Sequence, residues 1–273
     1  MSPFEAREAH YWRVTALLGS LPVLAVCLLA GFLLYNGVAA PLRLGLATFT
    51  TGNWLPFEGL FGLLPLLVGT LATTLAALLL SLPLGLGVAL HTSLFSGARF
   101  RRLADSAVAL LAGLPSVVIG LWGMTWILPR LGNSFASATL VLALMILPTF
   151  ILLAGAALRQ VPAELVETVR ALGVGEQVVA WTVLRHARVG LVGAATLACC
   201  RGLGEAVALS MVAGNVPAMP ELLGPVATLT TTLIIEYDGA AGNHRAALYL
   251  LALVVMSLIA VTSLAARKSR VTP

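Results

Sequence analysis

Long apolar runs separated by short polar stretches dominate the pattern of this 273-residue chain. A helix needs about 20 mostly apolar residues to cross the ~30 Å hydrocarbon core of a bilayer, with some allowance for tilt. Six runs reach that length, and we expect each to be a transmembrane helix: 14–35, 63–90, 104–128, 136–158, 191–214 and 246–266. The pattern therefore predicts an all-α membrane protein with six spans.

The first run, 14–35, follows a polar start, as the apolar region of a secretory signal peptide also does. The apolar region of a signal peptide is about 7–15 residues long. This run is longer, so we expect a retained helix. The composition also indicates an integral membrane protein, because only 10% of the residues are charged, whereas soluble domains average about 25%.

The distribution of basic residues predicts the orientation. Six spans place both termini on one side, where twelve of the 16 Lys and Arg residues lie, against three on the other side and Arg201 within a span. An excess of Lys and Arg marks the cytoplasmic side. We therefore assign 1–13, 91–103, 159–190 and 267–273 to the cytoplasm, and no nucleic acid is needed to explain the basic clusters.

Two outer segments, 36–62 and 215–245, are long and carry several prolines and glycines. These residues favour irregular or partly helical backbone. The residues alone leave open whether the segments form a surface for an external partner or only connect the spans.

Two charges, Arg201 and Glu205, interrupt the fifth run. A charged residue at the bilayer centre costs about 2.5–3.5 kcal/mol on insertion scales, so such residues normally face a bundle interior or a water-filled path. Their four-residue spacing predicts that both lie on one helical face. Arg201 offers a planar fork of donors suited to an oxyanion, and Glu205 would hold it when the path is empty. A static ion pair that only fixes helix packing is the alternative.

Three prolines fall inside predicted spans, namely Pro83, Pro115 and Pro148. Proline removes a backbone hydrogen bond and often kinks a membrane helix. The three are candidate hinges for alternating access, and packing kinks are an equal alternative.

The cytoplasmic segment 159–190 predicts a short amphipathic helix, a turn and a second helical stretch near 177–183. Pro162 suits the first helical turn, and the glycines at 173 and 175 suit its end. Leu165, Val169 and Leu172 recur at the spacing of one apolar face. Such a face fits docking into the groove of a partner or lying flat on the membrane interface.

The same segment resembles the loop motif of binding-protein-dependent ABC importer permeases in its stretch ETVRALGVGEQVVAWTVL. Glu167 and Gly173 match the spacing between the glutamate and the glycine of that motif. Thr168 and Val169 replace its two alanines, and Arg185 stands where a proline usually follows the leucine. The resemblance implies that Glu167, Ala171 and Gly173 belong to a loop that docks into an ATPase subunit and transmits its motion.

Four further segments resemble phosphate importer permeases, in the PstC type of the paired subunits: residues 62–90, GLPSVVIGLWG from 113, LVLALMILPTF from 140 and RGLGEAVALSMVAGN from 201. The resemblance implies a type I ABC importer permease fold in the bacterial cytoplasmic (inner) membrane. It implies transport of inorganic phosphate by alternating access, with Arg201 and Glu205 in the path. The expected partners are a second permease, two ATPase subunits that bind ATP and Mg, and an external phosphate-binding protein. Molybdate, tungstate and sulfate are alternative substrates.

The sequence contains no catalytic or cofactor-binding motif that would indicate another function. No nucleotide-binding G-x-x-x-x-G-K-[ST] run occurs, so ATP hydrolysis is expected in another subunit and no cofactor in this chain. The three cysteines, Cys27, Cys199 and Cys200, lie in apolar runs, and the four histidines are scattered without metal-ligand spacing. A permease, an ion-coupled secondary carrier and an intramembrane enzyme are the hypotheses, and the segment 159–190 favours the first.

Overall fold

The computed structural model describes residues 3–38 and 51–271, which are almost wholly helical. Residues 1–2, 39–50 and 272–273 of the predicted terminal and outer segments lie outside the described residues. The helices in chain order are α1 Pro3–Gly37, α2 Leu64–Leu90, α3 Ala98–Ala112, α4 Ser116–Trp126, α5 Leu128–Leu131, α6 Phe135–Arg159, α7 Ala163–Ala171, α8 Glu176–Leu203, α9 Val207–Val212, α10 Leu229–Glu236 and α11 Gly242–Val271. A π-helical turn, His91–Phe95, continues α2.

Five helical stretches in the described ranges are long and apolar enough to span a membrane: Val14–Gly37, Leu64–Phe95, Phe135–Arg159, Glu176–Leu203 and Gly242–Ala266. The pair α3 and α4 gives a sixth span if the two helices are taken together. The prediction of an all-helical membrane protein is thereby confirmed.

The third span is not the continuous helix expected over 104–128. Its two halves, α3 and α4, meet at a bend of 89°. The helix α3 ends at Ala112, and Pro115 precedes α4 as its N-cap residue. Proline has no N–H to continue a helix and disfavours helical backbone in the residue before it. Of the three candidate hinge prolines, Pro115 alone lies at a break, since Pro83 and Pro148 lie inside α2 and α6.

The core of the bundle forms where α2 and α8 pack against α6. Leu142, Met145 and Ile146 of α6 and Val183 of α8 are almost completely buried there. The helix α1 packs against α11, and none of its most apolar stretch is buried within the chain. An apolar helix that leaves so much of its surface exposed suits contact with lipid.

A short hairpin precedes α2, in the segment predicted to be external. Its strands, β1 Trp54–Leu55 and β2 Leu60–Phe61, pair antiparallel around a turn at Pro56–Glu58. Trp54 and Phe61 are buried in a second apolar cluster, with Leu248 and Leu251 of α11. This cluster fixes the outer segment to the bundle.

Candidate translocation and coupling sites

The fifth span is broken beside its two charges. The prediction of one helix over 191–214 is wrong, because α8 begins at Glu176, ends at Leu203 and is followed by the short α9. Gly204 is the C-cap residue of α8, and residues 204–206 form the break. Two glycines at 202 and 204 lower the helical preference of this stretch, since glycine costs about 1 kcal/mol relative to alanine in a helix.

Glu205 stabilises the break and does not pair with Arg201. Its carboxylate oxygen Oε1 accepts a hydrogen bond from the backbone N–H of Ala208, at 3.1 Å, and so caps the first turn of α9. Among the side chains that the structure describes, the ion pairs are Asp105–Arg159, Arg170–Glu176 and Glu236–His244. The expected ion pair between Arg201 and Glu205 is therefore not formed. Residues four positions apart lie on one face only along an unbroken helix, and the helix ends between these two.

Arg201 lies on a side of α8 that the described residues leave uncovered. Cys200 contacts Thr262 and Ser263 of α11 through its sulfur, at 3.4 Å each. Gly202 is buried, and a Cβ added there would lie 3.0 Å from side-chain carbons of Thr74 and Ile146. Successive helical residues point about 100° apart, so Arg201 points between these two contact directions, and its side chain is exposed.

The depth of Arg201 follows from the helix geometry. Arg201 lies thirteen positions after Arg188, the last basic residue before the apolar stretch, which corresponds to about 20 Å along a helix. A helix that crosses a ~30 Å hydrocarbon layer from Arg188 therefore carries Arg201 past the midpoint of the layer and still inside it. Its position in the last turn of α8 suits a cation, because the C-terminal end of a helix carries a partial negative charge.

A cluster of buried threonines surrounds the break, and the sequence reading did not single it out. Thr228 caps α10 reciprocally with Thr231, and the Thr70 hydroxyl accepts from the backbone N–H of Leu229 at 2.9 Å. The Thr230 hydroxyl donates to the Glu205 carbonyl at 2.7 Å. These bonds tie α10 and α2 to the break. The stretch TLTTTL at 228–233 was the available signal, since a threonine before an apolar run is typical of a helix N-cap.

In the segment 159–190, expected to dock on an ATPase subunit, the part outside the bundle is shorter than predicted. The helix expected over 177–183 is the beginning of α8, which continues through Arg185 without a break because no proline stands there. Glu167, Ala171 and Gly173 are all exposed, and the first two lie one turn apart on α7. Leu165 and Val169 are half-buried, whereas Leu172 is 73% exposed. The exposed edge of α7 and its following turn are thus available to a partner.

Gly173 forms the turn between α7 and α8 in a left-handed conformation with φ +71°. The backbone N–H of Gly173 donates to the Arg170 carbonyl, which ends α7. Residues with a Cβ rarely adopt this conformation. The left-handed turn therefore explains why the loop motif has a glycine at this position.

The apolar helices long enough to span a membrane and the exposed helix–glycine–helix segment agree with the permease family that the sequence resembles. Residues 81–270 match the family model described as "Binding-protein-dependent transport system inner membrane component". The chain belongs to this family, the inner-membrane permeases of ABC importers. It is the transmembrane component and is not itself catalytic, as predicted.

Several curated relatives align over most of the chain. A phosphate transport system permease protein PstC of Mesorhizobium japonicum is 30% identical, over 83% of this chain and 80% of the relative. The PstC protein of Xylella fastidiosa strain 9a5c is 28% identical, over 92% and 87% of the two chains. A probable ABC transporter permease protein YqgH of Bacillus subtilis is 31% identical, over 83% and 77%.

A solved structure confirms the fold. A chain of the MetNI methionine ABC transporter, in an inward-facing conformation, superposes with a TM-score of 0.61 at 22% identity. The match covers 74% of this chain and 91% of that chain. The fold is therefore that of an ABC importer permease.

Proposed function

We propose that this permease moves inorganic phosphate, and that Arg201 contributes to its path. The observation that carries this proposal is the exposure of Arg201 on a side of α8 that the described residues leave uncovered, within the apolar run expected to span the membrane. An arginine facing lipid at this depth costs about 2.5–3.5 kcal/mol on insertion scales. The side of α8 around Arg201 therefore faces a second permease subunit across a polar path.

The chemistry of Arg201 fits an oxyanion. A guanidinium group keeps its positive charge and presents several N–H donors in a planar fork, and tetrahedral oxyanions accept such bonds. Among the described side chains, no carboxylate forms an ion pair with it, and Glu205 caps the first turn of α9. We assign Glu205 a structural part in this path, which is to keep the break at 204–206 open. The names of the PstC relatives support phosphate as the anion.

The proposed complex contains this chain, a second permease, two ATPase subunits that bind ATP and Mg, and an external phosphate-binding protein. Binding-protein dependence belongs to the family. We propose that α7 and its glycine turn dock on one ATPase subunit through Glu167, Ala171 and Gly173, because this edge is exposed. Candidate hinges for alternating access are Pro115 at the bend, and Pro83 and Pro148 within helices.

Radiolabelled phosphate uptake by the reconstituted complex tests the substrate. Proteoliposomes receive the binding protein outside and ATP inside, and unlabelled phosphate, sulfate, molybdate or tungstate is added in excess. We expect ATP-dependent uptake that unlabelled phosphate alone suppresses. Absence of ATP-dependent phosphate uptake, or suppression by molybdate, tungstate or sulfate as strong as that by unlabelled phosphate, assigns the complex to another oxyanion and overturns the proposal.

A further inference from the structure

Arg170, in the last turn of α7, joins three elements at the inner end of the bundle. Its guanidinium holds Glu176, the first residue of α8, through two hydrogen bonds: Nε to Oε1 at 3.2 Å and Nη2 to Oε2 at 3.1 Å. The same Nη2 donates to the carbonyl oxygen of Leu94 at 3.4 Å. Leu94 lies in the π-helical turn that ends α2.

In the described part of the chain, these bonds are the side-chain hydrogen bonds between α7 and the bundle, and the other one of α7 runs from Thr168 to Glu164 within the helix. Val166 of α7 also packs against the core, but apolar packing is not directional. The connection to α8 is the turn 172–175, in which Gly173 has a left-handed backbone. The angle of α7 to the bundle therefore depends on this turn, on the packing of Val166 and on Arg170.

The two helices that Arg170 holds are those that meet beside Arg201. Gly202 of α8 packs against Thr74 of α2, at 3.0 Å from an added Cβ. Thr70, one turn earlier on α2, accepts from the first residue of α10. A displacement of α7 that reaches α2 and α8 together moves the end of α8 and the helix packed against it as one unit. A displacement that reaches only α8 changes the packing between α8 and α2.

We propose that Arg170 is a positioning residue that transmits the motion of α7 to α2 and α8 together, and so sets how much transport accompanies each ATP hydrolysed. This inference rests on the proposed docking of α7 on an ATPase subunit. A planar guanidinium suits the task, because its fork holds a carboxylate at two points. The ammonium group of a lysine is a single point.

The alternative is an ion pair that only adds folding stability. The two side chains are 40% and 56% exposed, and exposed pairs stabilise a fold little. Loss of the pair therefore leaves the protein folded, and the two roles differ in the coupling between uptake and ATP hydrolysis.

The test measures phosphate uptake per ATP hydrolysed in the reconstituted complex for Arg170→Glu, Glu176→Arg and the double exchange. Arg102→Glu is the matched control, because the side chain of Arg102 bonds to the backbone of its own helix. We expect each single variant to assemble normally and to lower the ratio by about 5-fold or more. The double exchange restores the ion pair but leaves a carboxylate at position 170, which cannot donate to the Leu94 carbonyl, so we expect its ratio to stay low, while the control keeps the ratio.

An unchanged ratio in Arg170→Glu, or a double exchange that regains the wild-type ratio through the ion pair alone, overturns the proposal. If Arg170→Glu does not assemble, Arg170→Lys decides. A lysine reaches Glu176 or Leu94 but does not hold both as the guanidinium does, so a reduced ratio is expected and a normal one contradicts the inference.

A second readout separates this inference from the proposed substrate. ATP hydrolysis is measured with and without the external binding protein, purified from cells with the anion it carries. Absence of phosphate uptake by the unaltered complex removes phosphate as the substrate. The inference then stands if Arg170→Glu abolishes the stimulation of hydrolysis by the binding protein, and falls if the stimulation is unchanged.

Discussion

The Thr230 hydroxyl donates a hydrogen bond of 2.7 Å to the backbone carbonyl of Glu205, 25 residues earlier in the chain. Glu205 lies in the break that follows α8, where carbonyl groups lose their helical partners. The bond therefore satisfies a polar group inside the membrane, where no bulk water replaces it. It also ties the beginning of α10 to the segment that follows Arg201.

Replacement of Thr230 by valine removes this donor and keeps the side-chain shape. We expect a loss of about 1–3 kcal/mol, the cost of a buried acceptor without a partner, seen as a lower midpoint of thermal unfolding in detergent. Thr196→Val is the control, since the Thr196 hydroxyl bonds to the backbone of its own helix. Equal midpoints for the two variants contradict the structural part assigned to Thr230.

Two substitutions of Glu205 separate its cap from its charge. Glutamine keeps an oxygen that accepts from Ala208, whereas alanine removes it. We expect Glu205→Ala to lose about 0.5–2 kcal/mol of stability, the range for N-cap residues, together with uptake. Glu205→Gln keeps most of both. If the glutamine variant transports as poorly as the alanine variant, the negative charge is required and the capping account of Glu205 is wrong.

The two glycines after α7 provide a matched pair. Gly173 has φ +71°, whereas Gly175 has φ −65°, and neither has a neighbour within 4 Å of an added Cβ. Gly173→Ala therefore strains only the backbone, by about 1–2 kcal/mol. We expect weaker co-purification of the ATPase subunit with Gly173→Ala and wild-type recovery with Gly175→Ala. Equal recovery with both variants would show that the left-handed turn does not determine docking.

The outer hairpin is held by a charge-assisted contact. Trp54 Nε1–H lies 3.1 Å from both carboxylate oxygens of Glu236, and His244 Nε2 lies 2.7 Å from one of them. Trp54→Phe removes the donor and keeps an aromatic ring, so we expect a loss of about 1.5–3 kcal/mol. Faster amide hydrogen exchange in 54–61 checks this, with the exposed Trp122→Phe as control. Unchanged exchange would mean that packing alone holds the hairpin.

Local patterns in the sequence predicted much of the fold. Apolar runs long enough for a bilayer located the spans, and the basic residues predicted an orientation that remains a prediction. The helix–glycine–helix segment was also predictable, because a glycine after an amphipathic helix is a local signal. Its second helix was predicted as separate, although it is the beginning of α8.

The details of the path depend on contacts distant in sequence. The glycines at 202 and 204 weaken a helix in this run of 24 residues, but the contact that ties the break to α10 comes from Thr230, 25 residues after Glu205. The ion pair expected between Arg201 and Glu205 is not formed because the helix ends at this break. The contact between Arg170 and Leu94 joins residues 76 positions apart, which no short-range spacing indicates.

Phosphate uptake by Arg201→Gln tests the central claim most directly. Glutamine keeps polar character and approximate length but removes the charge, while Arg102→Gln is the control at an exposed position on α3. Complex assembly and binding-protein-stimulated ATP hydrolysis are measured in the same preparations. We predict that Arg201→Gln assembles and hydrolyses ATP but takes up almost no phosphate, with the control near wild type. Wild-type uptake by Arg201→Gln would contradict the assignment of Arg201 to the path.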